Sequence, residues 1–172
     1  NDCVKHNSIL NSDYPMPLAE TASIFNETLL TQKMMESAEG AELIMLLDQE
    51  ISDAAQVIVD ILSRYIFETR VFEIRAQRTP AARELKQIMV DAQLEAYGDG
   101  LDPDFLHPYM WACKSHYYSP ERHFYNFPYA FGLLFGKGVF AQYQRYGAAF
   151  VPEYDRLLNA TATGDIYEVA MS

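Results

Sequence analysis

Positive charge is scarce in this sequence, and that scarcity excludes one class of partner. The 172 residues include 13 Lys or Arg and 24 Asp or Glu, which gives a net charge of −11. Proteins that bind nucleic acids neutralise backbone phosphates with clustered Lys and Arg, and no such cluster is present. The sequence therefore predicts no nucleic-acid partner.

Long apolar runs and cysteines are also few. The run from Leu133 to Phe140 is interrupted by Lys137, and no stretch approaches the ~18 apolar residues that a membrane-spanning helix needs. Cys3 and Cys113 are the two cysteines, too few for a small secreted scaffold held by disulfides. With 49% hydrophobic residues and no signal-peptide pattern, we expect a soluble, cytoplasmic, folded protein with no membrane partner.

The hydrophobic pattern predicts an all-α fold, because helical spacing recurs along the chain and the alternation typical of strands is scarce. We expect the first fifteen residues to be a loop. The predicted helices run from Pro17 to about Gly40, from about Glu42 to Gln77, from Pro80 to Tyr97, from Pro128 to Tyr146, and for a short distance after Pro152. For the third of these, we expect Thr79 as the N-cap with Pro80 at the first helical position, and Gly98 as the residue that ends the helix.

Apolar residues of the long second helix form a seam, spaced alternately three and four residues apart. The seam comprises Ile44, Leu47, Ile51, Ala54, Ile58, Ile61 and Tyr65. We interpret it as core packing, with Asp60 and Arg64 on the solvated face. In the helix starting at Pro128, Gly132 and Gly136 share a face and permit a close approach to a neighbouring helix.

Several common catalytic motifs are missing. The sequence has no P-loop, no dinucleotide-binding glycine fingerprint and no C-x-x-C pair. It also has no H-E-x-x-H motif, since none of the histidines is followed by Glu; these are His6, His107, His116 and His123.

Two polar segments remain as candidate sites. Glu20 and Glu27 are seven residues apart and share one face of the first helix, where a carboxylate among apolar residues suits a cation. The alternative is a solvated face. In the second segment, Trp111–Tyr118 with His123–Gly132, imidazole N–H and phenol O–H groups could donate hydrogen bonds to a developing oxyanion, with aromatic walls that exclude water. The alternative there is an aromatic core whose polar tips reach solvent or a carbonyl.

These two segments carry a resemblance to a known family. The residues concerned are Tyr14–Glu27, YPMPLAETASIFNE, and Trp111–Tyr118, WACKSHYY, followed by Phe124–Gly132, FYNFPYAFG. In this order they resemble the C-terminal part of oligoendopeptidase F, a relative of the thimet-oligopeptidase-type zinc metallopeptidases. The resemblance implies that residues 1–172 form a single all-α portion of a zincin-like catalytic domain.

The resemblance implies zinc as the cofactor and short peptides as substrates. In this family an H-E-x-x-H helix supplies two zinc histidines and the general base, and a later glutamate is the third ligand. Glu20 occupies the position of that ligand, and Glu27 would orient a zinc-bound histidine. The family's metal-binding helix would end just before Asn1, so we expect this chain to be a C-terminal fragment that is inactive alone.

The aromatic segment resembles the substrate side of the family's site. There, His116 and Tyr129 would donate hydrogen bonds to the peptide carbonyl and the oxyanion. Tyr125 matches a tyrosine of this pattern less well, and His123 receives no role. A piece without the rest of its domain should expose apolar surface, so we expect self-association. The alternative to a zinc endopeptidase is a non-catalytic all-α interaction module that uses the seam for pairing.

Overall fold

The computed structural model describes residue 8, residues 15–162 and residues 164–171. These residues are 78% helical and include no strand, which confirms the all-α prediction. The loop predicted for the first fifteen residues lies, apart from Ser8 and Pro15, outside the described residues. Within the described ranges, no helix has both the length and the apolar character that crossing a bilayer requires.

The helices of the described ranges follow the predicted order. They are α1 (Met16–Met35), α2 (Gly40–Ala55), a π-helical segment (Gln56–Asp60), α3 (Ile61–Arg75), α4 (Ala82–Tyr97), α5 (Phe127–Tyr146), α6 (Val151–Ala160) and α7 (Ile166–Met171). The predicted second helix thus corresponds to α2 and α3, joined by the π-helical segment. Short 3₁₀ turns occur at Pro103–Phe105, Met110–Cys113, Ser115–Tyr118 and Gly147–Phe150.

The ends of α4 show which local signals decide helix boundaries. The prediction of Thr79 as N-cap is wrong, because Ala81 is the N-cap and its N–H donates to Glu84 Oε2 at 2.8 Å. This contact with the side chain of the third helical residue satisfies a donor that the helix itself leaves unpaired. The predicted end at Gly98 is confirmed, since that glycine has a φ of 59°.

The first of two compact units comprises the described residues up to Gln49 and from Pro128 onward. Its core is formed by Phe25 of α1 with Val139 and Phe140 of α5. Tyr154 of α6 adds an aromatic contact, with its ring centroid 4.5 Å from that of Phe25. Aromatic residues from three helices therefore hold this unit together.

The second compact unit comprises Glu50–Phe127. Here α3 packs on α4 through Phe67, Met89 and Ala92, and the last two are fully buried. Trp111 and Tyr117, from the 3₁₀ turns, pack against the edge of this cluster. The described residues thus form two compact units. That residues 1–172 belong to a single domain stays a prediction.

The interpretation of the seam as core packing is wrong for most of its length. Ile44 is 68% exposed and Ile51 is 70% exposed, whereas Ile61 is buried at 7%. Leu47, Ile58 and Tyr65 are also exposed. Helical spacing determines which residues share a face, but it does not determine whether another element covers that face.

Candidate functional site

Glu20 lies at a tight helix–helix contact within the first unit. A Cβ placed on Gly132 of α5 would lie 2.7 Å from the Cβ of Glu20 and 3.3 Å from the backbone nitrogen of Thr21. A Cβ on Gly136 would meet the Thr21 carbonyl oxygen at 3.2 Å. The predicted close approach through these two glycines is confirmed, and it seats α5 directly against the turn of α1 that carries Glu20.

Tyr129 lies on α5 about one helical turn before this contact. Tyr129 precedes Gly132 by three residues, so the two share one face of α5. Both Glu20 and Tyr129 are half-buried, and Ser23 Oγ donates to Glu20 Oε2 at 3.2 Å. A carboxylate and a phenol are therefore held on two packed helices of one unit.

Glu27 occupies a different environment from Glu20 despite the predicted shared face. It lies two turns further along α1, and its side chain is exposed to solvent. Its position therefore matches the solvated-face alternative.

His116 belongs to the second unit, where it is 8% exposed. Asn126 Nδ2 lies 2.8 Å from His116 Nε2, and Arg64 Nη1 donates to Asn126 Oδ1 at 3.3 Å. Arg64 can only donate, so it fixes the orientation of the amide and turns the NH₂ group toward the imidazole. His116 Nε2 is therefore an acceptor, and the ring proton is on Nδ1.

The charge state of His116 follows from its surroundings. Burial lowers the pKa of His116 below its ordinary value of 6.5, and the positive charges of Arg64 and Lys114 lower it further. The ring is therefore neutral at pH 7 and can donate only through Nδ1–H. A hydrogen-bond donor role for His116, as the resemblance implies, would have to use that atom.

Tyr125 lies beside His116, as the sequence suggested for members of one aromatic segment. The two ring centroids are 5.9 Å apart, and the guanidinium carbon of Arg122 lies 5.6 Å from the Tyr125 centroid. His116 and Tyr125 thus belong to the second unit, whereas Glu20, Glu27 and Tyr129 belong to the first.

A buried ion pair behind His116 was missed at the sequence level. Asp60 and Arg64 form a salt bridge with side chains only 12% and 11% exposed, so their placement on a solvated face is wrong. The Tyr97 hydroxyl also bonds to Asp60, and burial followed by the charge of Asp60 raises the pKa of Tyr97. The spacing of four residues between Asp60 and Arg64 signalled the pair, but it could not signal its burial.

Glu68 and Phe124 form a second contact that the sequence did not reveal. The N–H of Phe124 donates to Glu68 Oε1 at 2.8 Å, and the rings of Phe124 and Phe72 stack at 5.4 Å. Phe124 has a φ of 51°, the single positive value among non-glycine residues in the part of the chain that the structure describes. Burial raises the pKa of Glu68, against the lowering effects of this hydrogen bond and of His123.

A cavity of about 490 Å³ opens beside this contact, within the second unit. One wall comes from α3 and the other from the 3₁₀ turns that carry the aromatic segment. It is lined by Phe67, Glu68, Val71, Phe72, Arg75, Leu85, Trp111, His116, Tyr117, Tyr118, Ser119, Pro120 and His123. Aromatic rings around one buried carboxylate give it an apolar interior with a single fixed anionic group.

The described residues do not form a complete zinc site. Within residues 8, 15–162 and 164–171, no three His, Cys, Asp or Glu side chains come together in a group that could hold a metal ion. Glu20 is chemically suited to supply one ligand, because a carboxylate commonly accompanies two imidazoles on zinc. The residues present therefore fit one donor of such a site.

Comparisons with known proteins add no family assignment. No protein-family model, curated protein or solved structure matches this chain. Functional proposals for it therefore depend on the geometry of these clusters and on the motif resemblance.

Proposed function

We propose that this chain is the C-terminal helical part of a zinc-dependent endopeptidase that hydrolyses short peptides. The observation that supports it is the close packing of α5, which carries Tyr129, against the turn of α1 that carries Glu20, where Gly132 has no side chain to separate the helices. A metal ligand and an oxyanion donor must lie close together, and Glu20 and Tyr129 lie on two helices that pack against each other within one unit.

The chain's own residues would have separate roles in that reaction. Zinc, when bound, supplies an activated water and polarises the peptide carbonyl. Glu20 would provide one carboxylate ligand, and the two imidazole ligands would come from outside the 172 residues. Tyr129 would donate its phenolic O–H to the carbonyl oxygen as negative charge develops there.

The roles that the resemblance implies for His116, Tyr125 and Glu27 stay predictions. For His116 the geometry restricts the role, because only Nδ1–H is available as a donor while Asn126 occupies Nε2. Glu27 is exposed, so orienting a zinc-bound histidine would require that histidine to approach α1 from the solvent side.

Zinc stoichiometry and turnover of a longer protein test the proposal directly. That protein would include the coding sequence upstream of residue 1. We expect Glu20→Ala to abolish zinc binding, whereas Glu42→Ala, at an exposed glutamate of α2, leaves it intact. Tyr129→Phe should lower kcat by about 10²–10³, the usual loss for one oxyanion donor, without changing metal content. Tyr146→Phe, exposed on the same helix, is the matched control.

Three results would contradict the proposal. The first is an upstream sequence without two histidines four residues apart and a Glu after the first. The second is normal zinc content in Glu20→Ala. The third is chelator-sensitive hydrolysis of a quenched fluorescent peptide by the 172-residue chain alone, since the proposal makes that chain inactive.

A non-catalytic interaction module is the second candidate, and the exposed seam supports it. Ile44, Leu47 and Ile51 of α2 are 68%, 45% and 70% exposed, and apolar side chains so placed favour association with another surface. Sedimentation of the 172-residue chain over a range of concentrations tests this candidate. Ile51→Glu should weaken self-association if the seam is the contact, whereas Glu42→Ala should not.

A further inference from the structure

The cavity of the second unit has features of a binding site that the proposed function does not use. We propose that the cavity beside Glu68 and Trp111 binds a planar aromatic group that carries a positive charge. This inference does not rest on the peptidase proposal, because Glu68 and Trp111 have no role in that reaction, although His116, which has a predicted role there, also lines the cavity.

The walls of the cavity favour a flat apolar ring. Its volume of about 490 Å³ lies within the ~300–1,000 Å³ range of small-molecule sites. Aromatic side chains contribute much of the lining, among them Phe67, Phe72, Trp111 and Tyr117. Such side chains pack against a guest ring in stacked or edge-to-face arrangements, and their ring faces also attract cations.

The charge that selects a cation is the carboxylate of Glu68. It is 6% exposed, and Oε1 already accepts from the N–H of Phe124. A carboxylate has about four acceptor positions, so it can accept further donors from a guest. Burial raises the pKa of Glu68 because it removes water from the anion, and a cation in the cavity would replace that lost solvation.

The other ionisable groups at the cavity do not reverse this preference. Arg75 is exposed, so solvent screens its positive charge more strongly than the protein screens buried Glu68. His116 is neutral at pH 7, since its pKa is lowered. His123 lies at the exposed edge, where its charge would be screened in the same way as that of Arg75. The buried carboxylate therefore dominates the field inside the cavity.

Three compounds of nearly the same shape test the inference: benzamidine, benzamide and benzoate, which are cationic, neutral and anionic at pH 7. Trp111 is the single tryptophan of the chain and lines the cavity, with its indole N–H donating to the Pro108 carbonyl at 3.0 Å. Its fluorescence therefore reports binding there. We expect benzamidine to bind about tenfold more tightly than benzamide, because its amidinium can donate a charge-assisted hydrogen bond to the Glu68 carboxylate. Benzoate should bind most weakly, because its negative charge is repelled by that carboxylate.

Glu68→Gln is the decisive variant, because the glutamine oxygen can still accept from Phe124 while the charge is removed. We expect the preference for benzamidine over benzamide to disappear, with benzamide affinity unchanged. Glu73→Gln, at an exposed glutamate of the same helix, should retain the preference.

Other outcomes would overturn the inference. Equal binding of the three compounds, tightest binding of benzoate, or no change in Trp111 fluorescence with any of them would each do so. If Glu68→Gln does not fold, Arg75→Gln replaces it as the test. That variant should keep or increase the benzamidine preference, and loss of the preference would show that Glu68 does not set it.

Discussion

Asn126 Nδ2 lies 2.8 Å from His116 Nε2, and this contact determines which imidazole nitrogen carries the proton. The amide cannot turn around, because its oxygen accepts from Arg64 and a guanidinium has no acceptor to offer in return. Arg64, four residues after the end of the π-helical segment, thus controls the tautomer of a histidine on a 3₁₀ turn. The chemistry available to His116 is set by Arg64 through Asn126.

Replacing the amide with a carboxylate should change the charge of His116. We expect Asn126→Asp to raise the pKa of His116, since a carboxylate would lie beside Nε2 and stabilise the imidazolium. Nitrogen-15 NMR of the ring over a pH series measures both the pKa of His116 and which of its two nitrogens carries the proton. The wild-type protein should show protonated Nδ1 and unprotonated Nε2 at pH 7, and a protonated Nε2 there would contradict the assignment.

The contact between α1 and α5 should be sensitive to a single added methyl group. Gly132→Ala would place a Cβ 2.7 Å from that of Glu20, and such overpacking destabilises a fold by about 1–3 kcal/mol. Gly138→Ala, on the same helix with open space around it, should instead stabilise by up to about 1 kcal/mol through helix propensity. Urea unfolding of the two variants provides the comparison, and equal effects would refute the packing argument.

Acid should weaken the start of α4 through Glu84. Hydrogen bonds from Arg78 and from the Ala81 N–H lower the pKa of Glu84 from 4.5 to about 2. Because the folded-state pKa is the lower one, the stabilisation is present above pH 4.5 and is lost as the pH falls toward 2. Thermal melts over this window should show a smaller pH dependence for Glu84→Gln than for wild type. Glu73→Gln should behave like wild type.

Removing Asp60 should lower the stability of the protein far more than removing one partner of an exposed i, i+4 ion pair would, because the Asp60–Arg64 pair is buried. Asp60→Ala would leave Arg64 charged and largely buried, which typically destabilises by about 3–5 kcal/mol. Asp48→Ala, at an exposed aspartate of α2, should change stability by less than about 0.5 kcal/mol. Denaturant midpoints distinguish the two, and similar midpoints would mean that the Asp60–Arg64 pair is not essential for the second unit.

Local sequence signals predicted the helices but not what covers them. Pro17, Gly98 and the residues around Pro128 act through the backbone of their own neighbours, so their effect is visible in the sequence. Burial depends on distant residues. Ile51 and Arg64 show the consequence, since the apolar side chain is exposed and the charged one is buried.

The contacts of the candidate sites were predictable to different degrees. Gly132 and Gly136, four residues apart on one helix face, predicted a close approach to a neighbouring helix but did not identify that helix as α1. The Glu68–Phe124 hydrogen bond joins residues 56 positions apart, and it requires a left-handed backbone at a residue that rarely adopts one. No pattern in the sequence encodes that conformation.

The left-handed backbone at Phe124 links the evolution of two positions. An ordinary residue pays roughly 1–2 kcal/mol for this conformation, and here Glu68 and the ring of Phe72 hold it in place. In a related sequence that has lost the carboxylate at position 68, the conformation would be easiest to keep with glycine or asparagine at position 124. Substitutions at these two positions should therefore occur together among descendants of a common ancestor.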